Sequence, residues 1–485
     1  MNNDVVVSCR KRVLANGLTI LFCHRPQAPL FSACIVSRVG SVNEGPGLTG
    51  VSHFLEHLMF KGTRAFGTLD DGSIEAELLA KIDGLAAERL SEQAKLRTHY
   101  SGGCPERVEE LTAQIAALEA ELKPFSVPNE LWTIYQRHGG VGLNAGTGCD
   151  GTRYYVTLPK NKLELWALME SDRLRSPVFR EFYTERDVVQ EERRMRIDND
   201  PDGILLEQVN ALLNLGSPYE APIVGWPRDL QTMTRKDVQK YFAEYYAPAN
   251  LVICLAGDLD EDEVWALSER YFAAIPAREM PAWRFAQRGV QWGERRVAIK
   301  LDAGPRMLIA YPGPLPGHSD QYALDIACEL LSGSRNARFY RHLVETGKAF
   351  YANIFQRSQA WSNSLLMSLY PQEPCTSAEL EAAAYAEIEA LIADGPTERE
   401  MERVRTRMRT DWLESLRSSA ELASELASAE AFRGGWERFN DLERYNEVTG
   451  DDVQRVLRQY LQADQRSVGE IVSANSDCDQ SDSLV

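Results

Sequence analysis

The chain has 485 residues, 44% hydrophobic and 26% charged, a balance that fits a folded globular protein of roughly two or three domains. Its formal net charge of −18 (53 Lys+Arg against 71 Asp+Glu) opposes non-specific nucleic-acid binding, which needs the opposite sign. No apolar run reaches the roughly 18 residues of a membrane span. The nine cysteines are scattered with no Cys-x-x-Cys pair, so a thiolate metal site is not expected. Cys34 and Cys254 sit in apolar runs, where free thiols act as small hydrophobes and suit a reducing compartment. The apolar stretch after Arg12 is broken by Asn16-Gly17 and does not read as a signal peptide. The expected location is the cytoplasm, or the periplasm if a leader has been trimmed.

Asn16-Gly17 predicts a hairpin turn into a strand over Leu18–Phe22. A second strand is expected over Phe31–Val39. Thr49 is the expected cap of a helix from Val51 to Lys61. Residues 64–128 change character. Ile74, Leu78, Ile82 and Leu85 form one apolar stripe, and Val108, Leu111, Ile115, Leu118 and Leu122 form another at heptad spacing. Ser101-Gly102-Gly103 and Pro105 separate them, which predicts an antiparallel helical hairpin. Beyond it come a short helix over Glu130–Gln136, strands over Leu143–Thr147 and Arg153–Leu158, and helices over 162–174, 181–198 and 204–214.

One internal repeat stands out. Thr234 to Asp237, leading to Tyr245, matches Thr449 to Asp452, leading to Tyr460, at a constant offset of 215 residues. Each is a Thr-capped helix with a carboxylate at the third helical position. Short apolar strands follow at Leu251–Ala256 and Val468–Val472. The expected fold class is α+β, with two similar domains, each a mixed sheet covered by helices. The expected boundaries are 1–275, carrying the 64–128 hairpin as an insertion, a linker at 276–291, and 292–485.

The first half contains His53-Phe-Leu-Glu56-His57. Residues four apart share a helix face, so His53 and His57 can present both imidazoles to one ion. Two histidines and a third protein ligand leave one zinc position open for water. Glu56 borders that face and can move protons to and from such a water. The helix is otherwise apolar, and a buried cluster of two histidines and a glutamate needs partners. The third ligand must come from elsewhere. Glu185 and Glu192 lie two turns apart on one face of a predicted helix, while Glu191 points about 100° away from Glu192; spacing leaves open which carboxylate binds.

His53-Phe-Leu-Glu-His57-Leu-Met-Phe-Lys-Gly-Thr63 resembles the inverted-zincin motif of the pitrilysin family, which includes insulysin and mitochondrial processing peptidase. Leu14–Thr19 resembles the family's first strand and Val39–Glu44 its second. Asn144-Ala-Gly-Thr147 resembles its substrate strand, Glu185–Glu192 the segment supplying the third ligand, and Asn250–Asp258 the strand closing the first domain. The resemblance implies a zinc metalloendopeptidase with one Zn²⁺ per chain. It makes His53, His57 and Glu192 the ligands, Glu56 the catalytic residue and Glu185 a residue supporting the site from behind. Asn144, Ala145 and Tyr351 would bind substrate. The substrate would be an extended, unfolded peptide added as a strand to a sheet edge inside a closed chamber.

The family also carries an Arg seven residues before the Tyr. Here Val344 stands in that place, so the resemblance implies a homologous partner chain supplying Arg and Tyr. A homodimer would require another arginine, Arg338 or Arg341, to reach the same space. The alternative function is a non-catalytic structural subunit of the same fold.

Overall fold

The computed structural model describes residues 7–70, 73–97, 102–282 and 285–473. Two mixed sheets dominate. The first holds β1 (Arg10–Val13), β2 (Thr19–His24), β3 (Leu30–Ser37), β4 (Val141–Thr147), β5 (Thr152–Pro159) and β6 (Leu251–Gly257), in the order β1-β2-β6-β3-β5-β4. The second holds β7 (Arg295–Leu301), β8 (Arg306–Pro312), β9 (Ala349–Arg357), β10 (Ser364–Pro371) and β11 (Ser467–Ser473), in the order β7-β11-β8-β10-β9. The sheets share one plan. β6 runs parallel to β2 and antiparallel to β3, just as β11 runs parallel to β7 and antiparallel to β8. The final edge strands, β4 and β9, are therefore equivalent.

The helices of the first half are α1 (Val51–Leu58), α2 (Ser73–Leu96), α3 (Pro105–Leu122), α4 (Glu130–Arg137), α5 (Leu163–Arg175), α6 (Phe182–Arg193), α7 (Pro201–Leu213), α8 (Pro227–Thr232), α9 (Arg235–Tyr245) and α10 (Glu261–Leu267). Those of the second are α11 (Asp320–Ser332), α12 (Ser377–Asp394), α13 (Glu398–Ser415), α14 (Ser419–Phe432), α15 (Glu443–Glu447) and α16 (Gly450–Tyr460). The expected repeat falls on α9 and α16. Both start with reciprocal capping boxes, Thr234 with Asp237 and Thr449 with Asp452, which satisfy two orphan backbone donors each. Both lead into the central parallel strand of their sheet.

Each sheet buries one face on helices of its own half and the other on a helix from the opposite half. Leu205, Val209 and Leu213 of α7 pack on Leu308, Ala310, Leu366 and Ile471 of the second sheet. Leu422 and Leu426 of α14 pack on Leu21, Cys34, Val36, Val252 and Cys254 of the first.

The predicted hairpin is present as α2 and α3; Ser101, part of its predicted turn, lies outside the described residues. Leu78, Ile82, Leu111 and Ile115 are buried in the seam, whereas Ile74 is exposed. Helix α6 ends at Arg193 and continues as one wider turn over Arg194–Asp198. The expected second strand, Phe31 to Val39, is β3 and ends at Ser37. The segment Val39–Glu44 is not a strand: Ser41–Asn43 form a 3₁₀ turn, and Glu44 serves the next helix. No helix among the described residues is long and apolar enough to cross a membrane.

Candidate metal centre

Helix α1 carries the two histidines. Its N-cap is Gly50 rather than the expected Thr49, with φ +86°, a left-handed conformation that glycine adopts without cost. A Cβ at Gly50 would run into the Val224 carbonyl oxygen. The orphan amides of the first turn are met by Glu44, whose carboxylate accepts from Gly50 N at 2.7 Å and Ser52 N at 2.8 Å. Burial pushes the Glu44 carboxyl up to about 8, against the pull of those hydrogen bonds. Thr49 instead donates its hydroxyl to Asp229 at 2.6 Å. Ser52 and Tyr241 share a 2.7 Å hydrogen bond that fixes α1 on α9.

One helical turn brings the His53 and His57 rings to 4.9 Å between centroids, at 77°. Helix α6 lies opposite. Glu192 Oε2 is 3.6 Å from His53 Nε2 and 3.4 Å from His57 Nε2. Glu192 Oε1 pairs with Arg196 at 2.8 Å. Glu185, on the same face, puts Oε2 3.4 Å from His57 Nδ1 and pairs with Lys61. Glu191 turns away and pairs with Arg194, its side chain 53% exposed. Among the described residues, His53, His57 and Glu192 form the group of potential ligands, each offering a donor atom within 4.8 Å of the others.

The donor atoms fit a zinc ion better than they fit one another. Zinc bonds of about 2.0–2.1 Å at tetrahedral angles hold neighbouring donors about 3.4 Å apart, and the two Glu192 separations are 3.6 and 3.4 Å. Those separations exceed a good hydrogen bond. Burial, then the neighbouring charge of His57, drives His53 down to about 4, which keeps it neutral, as a ligand must be. Burial also opposes charge on His57, but the facing carboxylates of Glu185 and Glu192 outweigh that and raise it to about 9. The surrounding carboxylates thus favour a cation at this point, whether a proton or a metal.

Glu56 is buried, and its Oε2 accepts a 2.6 Å hydrogen bond from Thr147 Oγ1. Burial raises the Glu56 carboxyl, and the Thr147 bond partly offsets this. Thr147 ends β4, the edge strand that also carries Asn144 and Ala145. The β4–β5 register shifts between Val141 and Asn144, and Asn144 Oδ1 accepts from Ala145 N at 2.9 Å. The structure therefore brings His53, Glu56, His57, Glu185 and Glu192 together and runs the Asn144–Thr147 strand up to them.

Tyr351 lies apart, half-exposed on edge strand β9 of the second sheet, its ring 5.3 Å from Tyr370. Val344 packs against the core of the second half. Arg338 is committed to Glu400 and the Gly395 carbonyl, and Arg341 is exposed on the Tyr340–Val344 turn. Arg338 thus falls away as a replacement for the missing arginine.

Three residues of the centre escaped sequence reasoning: Glu44, Lys61 and Thr147. Thr147 stood inside the quoted strand motif, but its bond to Glu56 joins residues far apart in the chain. Glu44 and Lys61 likewise stood inside quoted motif segments, but their contacts with the first turn of α1 and with Glu185 are set by the tertiary fold.

Two family models match the chain: "Insulinase (Peptidase family M16)" over residues 19–78 and "Peptidase M16 inactive domain" over residues 232–408. Both models describe peptidase family M16, to which the chain is similar in both halves. The zinc protease PqqE of Helicobacter pylori is 26% identical over 460 residues, covering 92% of this chain and 89% of that protein. An uncharacterized zinc protease of Mycobacterium leprae is 24% identical, covering 93% and 89%. Among solved structures, a protease from Helicobacter pylori superposes with a TM-score of 0.78 at 22% identity, over 96% of this chain and 100% of that one. The M16 fold accounts for the paired sheets, and the match to the periplasmic protease PqqL from Escherichia coli (TM-score 0.68, 16% identity) covers 96% of this chain but only 48% of that one. The chain thus corresponds in length to half of PqqL.

Proposed function

We propose that this chain is a zinc-dependent endopeptidase acting on extended, unfolded peptides. The observation that carries the reading is the approach of Glu192 Oε2 to both imidazole nitrogens, at 3.6 and 3.4 Å, beside the buried Glu56 carboxylate. His53, His57 and Glu192 would hold the ion. Bound there, zinc would act as a Lewis acid on water and on the scissile carbonyl. Thr147 occupies Glu56 Oε2, which leaves Oε1 to take the water's proton and pass it to the leaving amine. Glu185 orients His57 through Nδ1, the second contact that fixes a ligand's ring and tautomer. Edge strand β4 offers Asn144 and Ala145 to a peptide that adds as a further strand, and Tyr351 would reach substrate from the second half. The "inactive domain" match begins at residue 232, which leaves all these first-half residues outside it.

We divide the chain into a zinc-bearing domain, 1–275, and a chamber-forming domain, 292–485, joined by 276–291. Valine cannot donate hydrogen bonds as guanidinium does, so Val344 makes a homologous partner bearing Arg and Tyr the preferred assembly. The cysteines buried in apolar strands, such as Cys34 and Cys254, support a reducing compartment, the cytoplasm. The test is elemental analysis of the purified chain together with cleavage of a flexible peptide, alone and with a homologous chain added. About one zinc per chain and cleavage of the flexible peptide, but not of the same sequence held in a folded domain, are expected. A metal-free chain that still cleaves would overturn the reading. Full activity from the isolated chain would reject the heterodimer.

A further inference from the structure

The inserted hairpin α2–α3 meets the frame of the metal centre at three points. Glu75 of α2 forms a buried two-pronged pair with Arg180, Nε to Oε1 at 2.5 Å and Nη2 to Oε2 at 2.8 Å. Asp83 forms a second such pair with Arg235, the first residue of α9, and α9 backs α1 through Tyr241. Arg89 lies over the ring of Tyr183 on α6, 5.1 Å away.

Arg180 is the hub. It sits two residues before α6 and donates to the carbonyls of Lys61 at 3.0 Å, Thr63 at 2.7 Å and Phe66 at 3.4 Å. These belong to the loop that leaves α1 just after His57. Gly62 and Gly67, at φ +90° and +87°, fold that loop around the guanidinium; a Cβ on Gly67 would stand 3.0 Å from Arg180 Nη1. The same loop presents Lys61 Nζ to Glu181 at 2.7 Å and to Glu185, and Glu185 faces His57 Nδ1. A continuous chain of contacts therefore runs from Glu75 through Arg180, Lys61 and Glu185 to His57. Arg180 is 3% exposed, and a guanidinium buried so deeply needs its carboxylate partner.

We propose that the inserted hairpin is a positioning element of the metal centre, with Glu75 and Arg180 as its positioning residues. This rests on the zinc reading above. Without Glu75 the guanidinium loses its counter-charge, and its hold on the loop between α1 and α6 weakens. The spacing between the histidines and Glu192 then loosens.

Hydrogen–deuterium exchange on the full-length chain, zinc-loaded against chelator-stripped, reads this coupling without any substitution. Coupling between sites is reciprocal, so zinc should slow exchange in α2 over residues 75–89 as well as in α1 and α6. Slowing in α1 and α6 with α2 unchanged overturns the proposal. No slowing in any of the three means that zinc does not bind there, and the zinc reading fails together with what rests on it. Chelator competition on Glu75→Gln gives a second measure. Loss of a supporting partner is expected to raise the zinc Kd about tenfold or more, while Arg107→Ala, at an exposed ion pair on the same hairpin, should leave it unchanged. A folded Glu75→Gln with a Kd within about twofold of the parent overturns the proposal; if that variant does not fold, the exchange experiment on the unaltered chain decides.

Discussion

Replacing Glu192 by Gln should cost far more zinc than replacing Glu191 by Gln, although the two residues are adjacent and the change is the same. Glu192 Oε2 stands 3.4 and 3.6 Å from the two imidazole nitrogens. An amide there keeps the shape but loses the anion. Partners behind a ligand are worth about 10–100-fold in metal affinity, so losing a ligand itself should cost at least about 100-fold, or about 2.7 kcal/mol. Glu191 holds only Arg194, and both side chains are more than half exposed, so the salt bridge is worth about 0–1 kcal/mol to folding and nothing to zinc. The assay is chelator competition on both purified variants, with circular dichroism confirming that each is folded. Equal zinc loss in the two would mean that α6 presents a different face to the histidines.

Gly50→Ala should lower folding stability by at least about 2 kcal/mol, since it forces a left-handed φ on alanine and drives its Cβ into the Val224 carbonyl; an unchanged urea midpoint would refute this. Asp325 accepts from Tyr445 and Gln356, and burial first, then Glu329, lifts its carboxyl from 3.8 to about 6, against Tyr445 and Arg433. A raised acid stabilises the fold below its unfolded pKa, and that contribution fades as pH rises through about 6. Asp325→Asn should therefore gain stability at pH 8, by up to about 3 kcal/mol, with no gain at pH 3; equal effects at both pH values in denaturant titrations would contradict it. Chelator stripping should lower the thermal midpoint of the parent and leave that of Glu192→Gln nearly unmoved, because a ligand stabilises only a site that binds it; equal shifts in differential scanning calorimetry would argue against this centre.

Much of the site was legible because its spacing is local. His53 and His57 are one helical turn apart, and that relation survives any tertiary arrangement. The repeat was legible for the same reason, since a capping box spans four residues and both copies form as expected. Glu191 and Glu192 could not be separated by spacing, because the rotation of α6 is set by packing. Burial of Val189, Phe182 and Tyr183 turns the Glu185–Glu192 face toward α1. The cap of α1 was misjudged because a threonine beside a glycine reads as the cap, whereas the Val224 carbonyl leaves room only for Gly50 at the turn. The hairpin seam was visible as two apolar stripes, but Glu75–Arg180 and Asp83–Arg235 join residues too distant in the chain to leave a pattern. The exchange of α7 and α14 between the two sheets was equally hidden, since an apolar helix face does not name the sheet it covers.

Hydrolysis by Glu56→Gln tests the central claim most directly. The substitution leaves His53, His57 and Glu192 intact and keeps the Thr147 partner, so the variant should retain about one zinc per chain. It should cleave a flexible peptide about 10²–10⁴-fold more slowly than the parent assayed in the same assembly, because an amide cannot take the water's proton. Near-parental turnover by the zinc-loaded variant would contradict the account.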